Sequence, residues 1–182
     1  MKDLFRRHLA VYADYHRNAF NCAMHYVGVP VLFIAVLIPF ALYPVVIGPI
    51  EISIGSLMLI PAAIAWIALD WGIGAAMLAA ILPLAASAEW IARSGGHTRA
   101  WWTAATMFAV GWAFQIVGHA VFERRKPALL DNAFHMFIGP MFVTAKILVA
   151  LGLRRDLAAL LQGSRSGEVA GARSSEWSGS RA

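Results

Sequence analysis

Apolar and polar positions alternate in long blocks along this chain. Within residues 3–20, Leu4, Phe5, Leu9 and Tyr12 recur at helical spacing, with Arg6, Arg7 and Asp14 elsewhere around the axis. This pattern predicts an amphipathic helix of the kind that lies in a membrane interface. No charge occurs from Tyr26 to Ile50, and a span needs only about 20 apolar residues. The first spanning candidate is therefore 26–47, with Pro30, Pro39 and Pro44 expected to kink or end it. Further candidates follow at 52–69, 73–92 and 101–122, the last opening on the aromatic pair Trp101-Trp102. The short "DWGIG" at 70–74 predicts a tight helical hairpin. The apolar stretch 133–153 is interrupted by Gly139-Pro140 and carries Lys146, which predicts a re-entrant or interfacial pair of helices. The expected fold is all-α: an integral membrane bundle of about four spans, with an interfacial helix at its N-terminal end. Residues 1–162 form one domain in this reading, and the Gly/Ser/Arg-rich segment 163–182 a disordered tail.

Composition sharpens this picture. The chain is 60% hydrophobic and 14% charged, against about 45–50% and about 25% for soluble domains. The net charge of +5 does not point to nucleic acid, because the basic residues sit beside apolar segments as topology signals and attract anionic headgroups. The first 17 residues hold four Lys/Arg, the loops at 48–51 and 70–74 none, the 93–99 loop two, and the 123–131 loop three. Four crossings with both termini cytoplasmic fit this distribution, in a bacterial inner membrane, or in the endoplasmic reticulum of a eukaryote. The N-terminal segment has no signal-peptide pattern. The single cysteine, Cys22, excludes an internal disulfide and reads as a buried, inert thiol.

Two polar clusters flank the apolar blocks. "YHRNAFNCAMHYVGVPV" at 15–31 holds His16, Asn18, Asn21 and His25, and "GHAVFERRKPALLDNAFH" at 118–135 holds His119, Glu123, Asn132 and His135. An even number of crossings returns His119 to the face where His16 and His25 begin. Polar groups at membrane depth are costly and mark function, and imidazole is the commonest metal ligand. Asn21 with His25, Gln115 with His119 and Glu123, and Asp131 with His135 each fall at i, i+4 spacing. In each of these stripes the histidine thus has an amide or carboxylate placed to fix its tautomer. One constraint is strict: His16 and His25 are nine residues apart, about 180° around a continuous helix, so a break near 17–20 is required for them to share an ion. His8 and His97 read as interfacial and loop residues, and Glu89 as a carboxylate near a span end. No phosphate-cradling loop or serine-nucleophile motif is present.

The two clusters resemble the signatures of a known family. "YHRNAFNCAMHYVGVPV" is similar to Tyr-His-x-Asn-x-x-Asn-x-x-x-His leading to Gly-x-Pro, and "QIVGHAVFERRKPALLDN" to Gly-His-x-x-x-Glu followed by Pro-Ala-Leu and Asn. This is the membrane 2-hydroxy fatty acid dioxygenase family of yeast and bacteria, and the resemblance covers roughly residues 5–150. It implies an iron(II) enzyme of fatty acid α-oxidation that uses dioxygen to shorten long-chain 2-hydroxy acids by one carbon. It places His16, His25 and His119 at the metal, Glu123 at the signature acid, and Asn21 and Asn132 at the signature amides. His135 is added as a ligand from the local pattern alone. Other readings are a different lipid-modifying metalloenzyme, a bis-histidine haem carrier and a metal-free membrane scaffold. Against the hydroxylases and desaturases stands the lack of H-x₃-H or H-x-x-H-H boxes.

Overall fold

The computed structural model describes residues 3–161, so the tail expected at 163–182 lies outside the described residues. Helix α1 (Asp3–Asp14) buries Phe5, Leu9, Tyr12 and Ala13, one helical stripe, against helix α6 (Phe134–Ala150). The amphipathic helix expected over 3–20 thus ends six residues early. Asn18 then caps α2 (Ala19–Ala41), its side chain accepting the Phe20 N–H. Helix α2 runs through Pro30 and Pro39. The expected span 26–47 is displaced toward the N-terminus, because this cap starts the helix earlier than the apolar run does.

Residues 44–53 are not helical. Pro44–Ile47 (β1) pairs antiparallel with Ile50–Ser53 (β2). The hairpin closes on Gly48-Pro49, with Gly48 at φ 60°, the left-handed region that favours glycine at the first turn position. Ser53 caps the following α3 (Ile54–Leu69). Helix α3 is 16 residues, about 24 Å at 1.5 Å per residue, short of a hydrocarbon core of about 30 Å. Asp70 ends α3 and caps α4 (Trp71–Ser94) by accepting the Ile73 N–H at 2.9 Å. A tight turn leads into α5 (Gly96–Val117). Among the described residues, three helices are long and apolar enough to cross a membrane: Ala19–Ala41, Trp71–Ser94 and Gly96–Glu123. A fourth exists if α6 and the Arg155–Leu161 segment, bent by 117°, count as one span. The expected break at Gly139-Pro140 is absent, and the chain bends after α6 instead. Pro140 leaves the Met136 carbonyl without its helical donor, and Met136 is exposed.

The bundle holds together around α2 and α5, which pack antiparallel along their lengths. Close approach needs small residues here. A Cβ on Gly111 would fall 2.6 Å from Leu32 Cγ, and one on Gly118 2.4 Å from Asn21 Oδ1. One apolar cluster joins the ends of α2 and α4 to the start of α5, through Ile38, Ala88 and Ala104. The other sits at the opposite end and joins α1, α4 and α6 through Phe5, Leu9, Ile73, Met77 and Phe142. Helices α2 to α5 alternate in direction, so the start of α2 and the end of α5 meet at this second end.

Candidate metal centre

Residues 15–18 supply the break that a shared site requires. The Tyr15 and His16 N–H groups close the end of α1 on the Tyr12 and Ala13 carbonyls, and α2 restarts at Ala19. His16 therefore leaves the α1 axis before His25 appears on the second turn of α2. His119 arrives from α5, in a π-helical turn over Gly118–Glu123 that ends on Arg124 in the left-handed region, φ 52°. Such wide turns concentrate at functional sites. The three imidazoles are 1–2% exposed, and one nitrogen of each lies within 4.8 Å of the others.

Hydrogen bonds fix what these nitrogens present. His16 Nδ1 donates to the Tyr12 carbonyl at 2.7 Å, and His25 Nδ1 to the Asn21 carbonyl at 2.9 Å. A neutral imidazole has one N–H, so both Nε2 atoms carry bare lone pairs. Yet these atoms face each other at 3.0 Å. A shared cation resolves that repulsion. Two ligands each about 2.1 Å from an ion and at a right angle would stand about 3.0 Å apart. His119 Nδ1 is buried with no hydrogen-bond partner among the described residues. Burial, then the neighbouring His25, push the His16 pKa down to about 2, so a proton is a poor substitute for a metal here. The residues fit a divalent ion of the kind that imidazole ligates.

Other expected site residues lie around this group rather than in it. His135 is buried at the start of α6, its ring 5.8 Å from that of Tyr12, which is itself stacked on His16 at 4.2 Å. It is not brought into the three-histidine group. Glu123 Oε1 accepts the Asn18 backbone N–H at 2.6 Å and the Asn21 side-chain N–H at 3.4 Å. The carboxylate thus holds the start of α2, whereas the helical stripe suggested a bond to His119. Asn21 orients His25 through its backbone carbonyl. Asn132 accepts the Phe134 N–H at the start of α6. Asp131 precedes that helix. Its carboxylate takes the Tyr15 hydroxyl at 2.7 Å and pairs with Lys126. On the opposite end of the bundle, Glu89 accepts from Ser53 and Ser56. His8 is half-buried and packs on Phe134 at 4.9 Å, whereas His97 is exposed.

A cavity of about 370 Å³ opens from the histidines between α2, α5 and α6. His25, Val29, Leu32, Phe33, Val36 and Leu37 line it from α2, and His119, Gln115, Trp112 and Phe108 from α5. These positions cover 12–13 residues on each helix, about 17 Å of length, apolar beyond the first turn. Tyr12 lines the histidine end, and burial raises its pKa well above the ordinary phenol value. It therefore stays a protonated donor. In the sequence Tyr12 belongs only to the apolar stripe of an interfacial helix; its i, i+4 spacing to His16 was the available signal. The buried thiol of Cys22 is 3.0 Å from the Lys146 ammonium, a contact across 124 residues that no local pattern shows.

No solved structure matches this chain. Among curated proteins, the 2-hydroxy-palmitic acid dioxygenase MPO1 of Saccharomyces cerevisiae is 44% identical over 57 residues. That match covers 31% of this chain and 33% of the yeast protein. The sequence profile of the family described as 2-hydroxy-palmitic acid dioxygenase Mpo1-like matches residues 2–151, which include all three histidines and the walls of the cavity, and the chain belongs to that family.

Proposed function

We propose that this protein is an iron(II)-dependent dioxygenase that shortens long-chain 2-hydroxy fatty acids by one carbon. The observation that carries this reading is the three-histidine group opening directly onto a long apolar cavity between helices. Three neutral nitrogen ligands leave coordination positions for two further partners, as the non-haem oxygenases require. Iron, when bound, supplies the redox chemistry that dioxygen needs. His16, His25 and His119 would hold it. The cavity accepts the acyl tail in an environment like the bilayer from which it comes, and excludes water from the reacting end. Tyr12 offers a neutral hydroxyl donor there. Glu123 acts as a positioning residue: it fastens the start of α2, which carries His25, to the end of α5, which carries His119. Arg17, Arg124 and Arg125 place positive charge at the same end of the bundle, where the substrate carboxylate arrives. Charge distribution supports a multi-pass protein with this end cytoplasmic, in a bacterial inner membrane or the endoplasmic reticulum. A bis-histidine haem is disfavoured, because the imidazoles converge on one point with ring centroids 4.4–5.1 Å apart, leaving no plane for a porphyrin between them.

Anaerobic purification followed by metal analysis and oxygen uptake tests the reading. One equivalent of iron and dioxygen consumption with a long-chain 2-hydroxy acid, yielding the acid one carbon shorter, are expected. His16→Ala, His25→Ala and His119→Ala each lose iron and oxygen uptake together. A strong Soret band, or full oxygen uptake in the His25 and His119 variants, overturns it.

A further inference from the structure

Beside the histidines, one polar side chain in the cavity is left without a role. Gln115 lies one helical turn before His119 on α5, so its amide sits about 5.4 Å further along the cavity. It is 8% exposed, and its Nε2 has no hydrogen-bond partner among the described residues. A buried donor left unpaired is expensive, and more so within a membrane span. Helix α2 makes room for this amide: a Cβ on Gly28 would fall 2.8 Å from Gln115 Nε2. A glutamine serving only to join α2 and α5 would bond to the facing backbone, and this one does not. Leucine would fill the same space without the cost.

Resting on the dioxygenase reading above, we infer that Gln115 is the specificity-determining residue of the cavity, its amide hydrogen-bonding the hydroxyl on the carbon next to the substrate's carboxylate. A carboxylate only accepts hydrogen bonds, and the exposed arginines at this end of the bundle, Arg17, Arg124 and Arg125, suit it electrostatically. A hydroxyl both donates and accepts, and an amide matches both. Its position, just beyond the histidines and ahead of the apolar walls of Trp112 and Phe108, is where a polar group on the first carbons of the chain would stand. A site built to bond a substrate hydroxyl rejects the analogue that lacks it, because its own polar groups are then left unpaired.

The test measures binding without turnover. Zinc-loaded wild-type protein and Gln115→Leu, in detergent, are titrated calorimetrically with 2-hydroxyhexadecanoic acid and with hexadecanoic acid. Wild type is expected to prefer the hydroxy acid by about tenfold or more, the worth of one well-made hydrogen bond in a buried site. Gln115→Leu is expected to lose that preference while retaining metal content and affinity for hexadecanoic acid, a split that general damage to the site would not give. If Gln115→Leu keeps the wild-type preference, this inference is overturned and the dioxygenase reading stands. If wild type binds neither acid, both fall. Should Gln115→Leu fail to fold, Gln115→Asn, which retracts the amide by one methylene, is judged by the same preference.

Discussion

Removing the Glu123 carboxylate separates two roles that an acid beside a metal site can have. In the structure it lies across the junction of α2 and α5. Asn18 caps α2 with its own side chain, and the Asn18 backbone N–H goes to Glu123 Oε1 at 2.6 Å. In an ordinary capping box the side chain three residues into the helix takes that N–H. Here that residue is Asn21, whose amide is turned to the Tyr15 carbonyl and to Glu123 itself. The box is completed from another helix, 105 residues away. A hydrogen bond to a charged acceptor is worth about 1.5–3 kcal/mol, and a negative charge at a helix N-terminus a further 0.3–1 kcal/mol or so. Glu123→Ala is therefore expected to loosen the start of α2 by about 2–4 kcal/mol. Glu123→Gln keeps an acceptor oxygen and is expected to cost about half as much. Hydrogen–deuterium exchange reads this directly: the Asn18 to Cys22 amides should exchange roughly 30-fold faster or more in Glu123→Ala, at 1.4 kcal/mol per tenfold. Iron content should fall only in part, because Glu123 is not in the three-histidine group. Complete loss of iron in Glu123→Gln with unchanged exchange at 18–22 would refute this account and make Glu123 a ligand.

Acid should destabilise the metal-free protein. The unfolded chain takes up a proton at His16 below its ordinary pKa of 6.5, while the buried ring does so only near pH 2. Stability is thus unaffected by His16 above pH 6.5, and at pH 5 about 2 kcal/mol is lost through it. Thermal unfolding in detergent at pH 7.5 and 5, with His16→Asn removing that part of the slope, checks the sign; equal slopes would refute it. Gly118→Ala would bring a methyl 2.4 Å from Asn21 Oδ1 and 3.2 Å from Met24 Cβ, forcing α5 from α2 at about 1–3 kcal/mol, read as a lower melting temperature and reduced iron content. Arg154 donates to both Asp70 oxygens at 2.8 and 3.3 Å. Arg154→Ala strips this partner from a carboxylate that is 5% exposed, at about 1–3 kcal/mol, and a melting temperature equal to wild type would count against that.

The sequence by itself determined the class of fold and singled out the three histidines that the structure brings together. Long uncharged runs have no soluble solution, and helices satisfy their backbone bonds within one segment, so the membrane-type bundle follows from hydropathy alone. An even number of passes is enough to bring residue 119 back to residue 16. What local pattern could not supply was the direction of individual side chains. Helical spacing put Glu123 beside His119, but the π-helical turn and the left-handed Arg124 carry its carboxylate to Asn18 instead. Spacing placed Asp131 one turn before His135, and could not show that its carboxylate also takes the Tyr15 hydroxyl and pairs with Lys126. Hydropathy also passed over the hairpin at 44–53, because its first strand continues the apolar run and only Pro44, the Gly48 turn and Glu51 distinguish it from a span. The cavity is the clearest case. Its walls come from α2, α5 and α6, and each apolar lining residue reads locally as ordinary apolar surface. Only the antiparallel packing of α2 on α5, held close by Gly28, Gly111 and Gly118, sets those residues around one space and leaves Gln115 facing it.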